Sequence, residues 1–314
     1  MFIFEKNKFF PSCHASTLVE GVSGDLLVAW FAGTAEGADD VDIWLSIKHG
    51  EEWSKPRKVV NMEGIPLWNP VLMRDEKTIF LFYRFGHKIK DWKSAYVTSE
   101  DNGQNWSEPK LLPAEYLGPI KNKPIKMSNG LWLCGSSIET AEEWYCRLEI
   151  FNAKSHQWLH YNDLKLPEVP IGIIQPTLWE STPGNIHALM RSTIGKVVRS
   201  DSRDYGKTWS TPVSIEIPNN NSGIDAVRLP DGNVILCLNP ITKNWGERTP
   251  LELWRSKDNA ITWSSRFTLE NEPGRYSYPA LISTKDGVGV TYTYRRESIR
   301  YRKVKLEEFI PFSG

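Results

Sequence analysis

Short runs of Val, Ile, Leu, Phe and Tyr alternate along the chain with breaks of Gly, Asp and Pro. Runs of this length and composition predict strands. No segment keeps a 3.6-residue apolar period over three turns, so no long helix is predicted. Near the start, HASTLVE from His14, DLLVAWFAG from Asp25, VDIWLSI from Val41 and WSKPRKVV from Trp53 read as four successive strands.

The punctuation between runs repeats. SEDNGQNWSEP from Ser99 is nearly copied by SRDYGKTWSTP from Ser202, SKDNAITWSSR from Ser256 and SIKHGEEWSKP from Ser46. The shared frame is S-x-D-x-G-x-x-W, with Ala260 in place of Gly in one copy and Lys48 in place of Asp in another. An Asp carboxylate closes a turn by accepting backbone N–H bonds just ahead of it. Gly supplies a positive φ, and Trp anchors the next strand. Trp53, Trp106, Trp158, Trp209 and Trp263 follow at steps of 53, 52, 51 and 54 residues. Such regularity predicts a closed array of similar units, and 314 residues hold six of them. Four-stranded units around a ring make an all-β, six-bladed β-propeller of antiparallel blades. One domain over residues 1–314 is expected. The sixth unit offers three strands, YPALIST from Tyr278, GVTYTYRRE from Gly289 and SIRYRKVKL from Ser298. The N-terminal MFIFEKN is expected to supply the fourth and close the ring, which removes exposed edges.

In an up-and-down blade, inner-strand starts share a face with the loops joining second and third strands. The Asp turns lie on the opposite face. The inner strands begin CHASTL, WNPVL, NKPIK, IQPTL, GIDAV and SYPAL. Asn69, Lys123, Gln175 and Tyr278 stand directly before Pro, and His14 and Asp225 occupy or adjoin the matching places. These side chains are expected to converge on one pocket at the mouth. Lys121 and Lys123 flank Asn122 between two prolines and read as an anion-binding pair. Glu139, Arg84 and Arg295 end second strands on the same face and read as wall or ion-pair residues.

Thirty-eight basic residues balance thirty-eight acidic ones. No basic tail or patch points to nucleic acid or a membrane surface. Fourteen Trp suit both the repeated anchor and carbohydrate contact. Cys13, Cys134, Cys146 and Cys237 have no metal-ligand spacing and are expected to be reduced, buried thiols. No metal site, nucleotide fingerprint or cofactor is predicted. The first residues do not read as a signal peptide. The chain as given reads as cytoplasmic, or as secreted or periplasmic if a signal was removed.

With these strands and turns in place, the sequence resembles the sialidase (neuraminidase) superfamily, in particular its bacterial-type members with repeated Asp boxes, over essentially the whole chain. RTPLELWRSKDNAITW from Arg248, followed by YSYPAL, is similar to the family's fifth-blade arginine strand, Asp box and Tyr-led strand. The resemblance implies that Tyr278 stands at the nucleophile position and Arg248 at the last of three carboxylate-binding arginines. QPTLWESTPGNIHALMR from Gln175 is similar to the Glu-Pro strand, so Gln175 replaces the glutamate that activates the tyrosine. His14 in HASTL replaces the first arginine, and Arg191 or Lys196 would supply another cation. The acid/base aspartate is implied to come from GTAEGADDVD, which holds Glu36, Asp39, Asp40 and Asp42.

Gln cannot take a proton, and a phenol with a reference pKa near 10 needs a base before it can attack. What the resemblance implies is an exo-acting glycoside hydrolase of sialidase-like fold, releasing or cleaving next to a terminal acidic sugar of an oligosaccharide or glycoconjugate. Tyr278 would be nucleophile or charge stabiliser, and Glu36, Asp39 or Asp40 the acid/base. A lyase would use His14 or Tyr278 to remove a proton, and an enzyme cleaving rhamnose–glucuronate linkages would use His14. A glycan-binding propeller without catalysis is the third possibility. The oligomeric state is not legible.

Overall fold

The computed structural model describes residues 1–312. Residues 313 and 314, the end of the domain expected over 1–314, lie outside the described residues. The strands form six antiparallel blades in a ring. Blade 1 runs Ser12–Glu20, Leu26–Gly33 and Asp42–His49, and its outer edge is split into Glu52–Trp53 and Arg57–Val60. Blade 2 is Leu67–Asp75, Thr78–Phe85, Lys93–Ser99 and Lys110–Leu111. Blade 3 is Ile125–Lys126, Trp132–Glu139, Trp144–Asn152 and Gln157–Leu164. Blade 4 is Ile173–Thr182, Asn185–Ser192, Lys196–Ser202 and Val213–Pro218. Blade 5 is Asp225–Arg228, Val234–Leu238, Leu251–Ser256 and Ser265–Glu270. Blade 6 is Tyr276–Thr284, Gly287–Tyr294 and Ser298–Lys305.

The N-terminus takes the outer place of blade 6. Phe2 bridges Arg300. Ile3 N donates to Ile299 O at 3.0 Å, and Asn7 N to Glu297 O at 3.0 Å. One latch escaped the sequence reading: Ile310–Pro311 pairs with Ser265–Glu270 as a fifth strand of blade 5. The N-terminal segment and the Ile310–Pro311 strand thus bind adjacent blades.

Alternation explains why the strands are continuous apolar runs. Successive side chains point to opposite faces, and both faces of every blade are covered by neighbours. In the second strand of blade 1, Leu27, Ala29 and Phe31 pack toward blade 2. Val28, Trp30 and Ala32 of the same strand pack toward blade 6. Four further buried clusters fill the remaining seams.

The Asp boxes lock these seams. Asp204 accepts from Ser202 Oγ at 2.8 Å and Thr208 N at 2.9 Å, while Trp209 Nε1 donates to Gly206 O at 3.0 Å. Asp101 and Asp258 repeat the turn. Each box is grasped from the preceding blade. Arg57 Nη1 donates to Gln104 O at 2.8 Å, Asn162 Nδ2 to Lys207 O at 2.8 Å, and Arg199 Nη1 to Ala260 O at 3.0 Å.

Candidate active site

The site begins with a backbone irregularity. The inner strands of blades 1, 2, 4 and 6 shift register between His14 and Thr17, Trp68 and Val71, Ile174 and Thr177, and Ser277 and Ala280. Within each bulge one residue is left-handed: Ala15 at φ 56°, Asn69 at 41°, Gln175 at 55° and Tyr278 at 55°. A bulge bends its strand and re-aims a side chain. Positive φ in non-glycine residues costs about 1–3 kcal/mol each and persists where the surroundings impose it. The bulges turn Asn69, Gln175 and Tyr278 toward the axis of the ring, and Pro follows each of them.

There a cavity of about 310 Å³ is lined by His14, Glu36, Asn69, Glu139, Gln175, Arg191, Arg248 and Tyr278, eight of the residues singled out from sequence. Arg191 is its hub. The buried guanidinium donates from Nη1 to Tyr278 Oη and Gln175 Oε1, both at 3.1 Å, and from Nε to Asn221 Oδ1 at 2.9 Å. Arg248 Nη1 donates to Ser277 Oγ at 3.0 Å, and its guanidinium carbon lies 5.8 Å from the Tyr278 ring centre. Burial, outweighing the nearby phenol, lowers the Arg248 pKa to about 10, so it remains charged at neutral pH. His14 packs its ring 4.2 Å from that of Tyr278 and pairs through Nδ1 with Thr293 Oγ1 at 2.9 Å. Burial, then Arg296 and Arg248, push the His14 pKa well below the ordinary imidazole value. It is neutral at physiological pH.

Five expected site residues do not line this cavity. Lys121 is buried beneath it and donates to Ile224 O and Pro279 O at 2.6 Å and Asn122 Oδ1 at 2.8 Å. Burial lowers its pKa to about 7. Lys123 is spent on the Asp225 carboxylate at 2.8 Å. Asp225 also accepts from Thr177 Oγ1 and Leu281 N, both at 2.7 Å. Lys121, Lys123 and Asp225 therefore form a plug tying blades 3, 4, 5 and 6 under the floor, and the reading of the two lysines as an anion-binding pair is corrected. The physical reason is register. In blades 3 and 5 the left-handed positions fall at Lys121 and Asn221, upstream of inner strands that start late. In the acidic loop, Asp40 is consumed by Thr34, whose N and Oγ1 donate to it. Those bonds hold the Asp40 pKa below the ordinary value. Asp39 is exposed and faces His87 at 3.1 Å. Lys196 pairs with Glu216 at the surface, at 2.6 Å, which leaves Arg191 as the second cation of the site.

Sequence reasoning missed Arg296. It stands in the loop joining the second and third strands of blade 6, lines the cavity, and pairs through Nη2 with Glu36 at 2.8 Å. Its Nη1 is buried without a partner among the described residues. The available signal was its loop, on the mouth face of the sixth unit. Also missed were the aromatic walls: Trp68 and Trp92, with ring centres 5.0 Å apart, and Trp144 and Trp245, 6.2 Å apart. Trp245 is 60% exposed, and together with Arg248 it also borders a groove of about 820 Å³ lined by Glu247, Asn271 and Arg275.

Solved structures with the same architecture include the Hadza microbial sialidase Hz136, at TM-score 0.81 and 18% identity over 96% of this chain and 67% of that one. The NanB sialidase of Streptococcus pneumoniae matches at 0.79 and 15% over 99% of this chain and 71% of that one. The intramolecular trans-sialidase of Ruminococcus gnavus matches at 0.76 and 12% over 98% and 97%. At such identities the likeness is one of fold. No curated protein matches the chain by sequence. The family model for the BNR repeat-like domain spans residues 24–290. The chain, a six-bladed sialidase-like propeller, therefore belongs to the BNR repeat-like domain family.

Proposed function

We propose that the protein is an exo-acting glycoside hydrolase that releases, or cleaves next to, a terminal acidic sugar of an oligosaccharide or glycoconjugate. One observation carries the reading: Arg191, Arg248 and Arg296 share a cavity with Tyr278, whose hydroxyl lies 3.1 Å from Arg191. Converging guanidinium groups suit a carboxylate, which they bind by paired, charge-assisted bonds. Arg296 supplies the cation that His14 cannot, because His14 is neutral. A sugar clamped by its carboxylate sets its anomeric carbon against the Tyr278 oxygen. Sialidases with a tyrosine at this point depart from the two-carboxylate scheme of most glycosidases. Gln175 offers Tyr278 no base, so the phenol acts here by stabilising positive charge at the anomeric carbon. The sialidases named above support the class of substrate, and the four-tryptophan wall supports a sugar ligand.

The test is Tyr278→Phe on whichever acidic glycan the wild type turns over. Turnover is expected to fall 100-fold or more, about 2.7 kcal/mol in barrier, with the melting temperature unchanged. Full activity in Tyr278→Phe would refute this site. A second reading is favoured by the neutral His14 at 4.2 Å from Tyr278. Elimination would use that imidazole to remove the proton beside a uronate carboxylate while the C4–O bond breaks and its electron pair leaves with the departing sugar, and the unsaturated product absorbs in the near ultraviolet.

A further inference from the structure

Hydrolysis needs a proton donor for the departing oxygen, and the first-blade loop does not present a free one. Asp40 is bonded to Thr34, Asp39 stands outside the cavity beside His87, and Glu36 is held by Arg296. One other carboxylate lines the cavity, Glu139. It ends the second strand of blade 3, opposite Trp144. Side chains two apart on a strand share a face. Ser137, two residues earlier, accepts from Gln175 N at 2.8 Å, so that face of blade 3 looks toward the blade 4 side of the pocket. Glu139 borders the same space as Arg191, Gln175 and Tyr278. It is half-buried and has no hydrogen-bond or ion-pair partner among the described residues, so its carboxyl is free to meet a ligand in the cavity.

We propose that Glu139 is the catalytic acid/base of this site, an inference that rests on the hydrolase reading above. In the first step the Glu139 carboxyl gives its proton to the glycosidic oxygen. The bond between that oxygen and the anomeric carbon breaks, and its electron pair leaves with the oxygen. The Tyr278 oxygen faces the cationic sugar that results. A water then adds to the anomeric carbon and returns one proton to the Glu139 carboxylate. Net, one water is consumed and the site is restored. The surroundings favour the protonated donor. Burial raises the Glu139 pKa and outweighs the opposing pull of Arg191 from blade 4 and Arg84 from blade 2. The buried Cys146 thiol, on the adjacent strand, is the other titratable group against it. A carboxyl pKa raised above its ordinary value favours the protonated form that general acid catalysis requires.

The experiment compares wild type and Glu139→Gln on the 4-nitrophenyl and methyl glycosides of sialic acid and of glucuronic acid. The nitrophenolate departs without help, whereas methanol needs a proton. Glu139→Gln is expected to lower kcat/KM for the methyl glycoside about 10²–10⁴-fold and to change the nitrophenyl rate far less. Wild-type activity should fall as pH rises through the Glu139 pKa, and that basic limb should vanish in the variant. Glu139→Asp keeps a carboxyl and should retain the limb at reduced rate; it also serves if the Gln variant folds poorly. Equal losses on both leaving groups, or an unchanged pH profile, would overturn the acid role while leaving the hydrolase reading intact. A wild type inert on all four glycosides would overturn that reading, and this inference with it.

Discussion

Tyr278 owes its place to a single left-handed residue at a strand start, and the same conformation recurs at Asn69 and Gln175. A residue before proline avoids the right-handed helical region, so these dipeptides marked strand starts in the sequence. What the dipeptide does not encode is register, and so Lys123 and Asp225 were expected in the pocket. Both lie below it, with Asp225 fully buried and bonded to Lys123, Thr177 and Leu281. Asp225→Ala should therefore behave as a folding defect. Removing one partner of a buried ion pair costs about 3–5 kcal/mol. Chemical denaturation should find that loss. A normally stable variant with impaired binding would return Asp225 to the ligand site. Arg296 was unread because a cation in a hairpin loop gains meaning only once the ring closes and brings blade 6 beside Glu36 of blade 1.

At the scale of the element, the Asp box was legible because it acts within a few residues. Serine, aspartate, glycine and tryptophan make all their defining bonds to one another's turn. Its grip on the neighbouring blade was not legible, since Arg57, Asn162 and Arg199 lie far off in sequence. Gly103 shows the two roles together. It sits at φ 84°, and an added Cβ would fall 2.4 Å from Leu27 Cδ2 of blade 1. Gly103→Ala meets both the conformational penalty and the clash, and should cost about 1–3 kcal/mol. Thermal unfolding measures it, and kcat/KM should hold because the turn lies opposite the mouth. A variant as stable as wild type would contradict the seam-locking role.

For the whole molecule, six blades followed from the tryptophan spacing, and the missing sixth anchor pointed to the N-terminal segment. The short C-terminal strand on blade 5 has only two residues, Ile310–Pro311, too few to leave a pattern. Deleting residues 1–7 strips the outer edge of blade 6, where Met1, Ile3 and Asn7 now bond. An unpaired edge invites association, so light scattering should show aggregation and the melting temperature should fall. A monomeric deletion variant of unchanged stability would mean that the ring closes without this segment.

The central claim is that the arginine-lined mouth with Tyr278 hydrolyses the bond to a terminal acidic sugar. Mass spectrometry of wild-type reactions on sialic-acid- and glucuronate-capped oligosaccharides tests it most directly. The account predicts the free acidic monosaccharide together with the shortened glycan, their masses exceeding the substrate by one water. An unsaturated product at the mass of the substrate less its leaving part, or binding with no product at all, would contradict it.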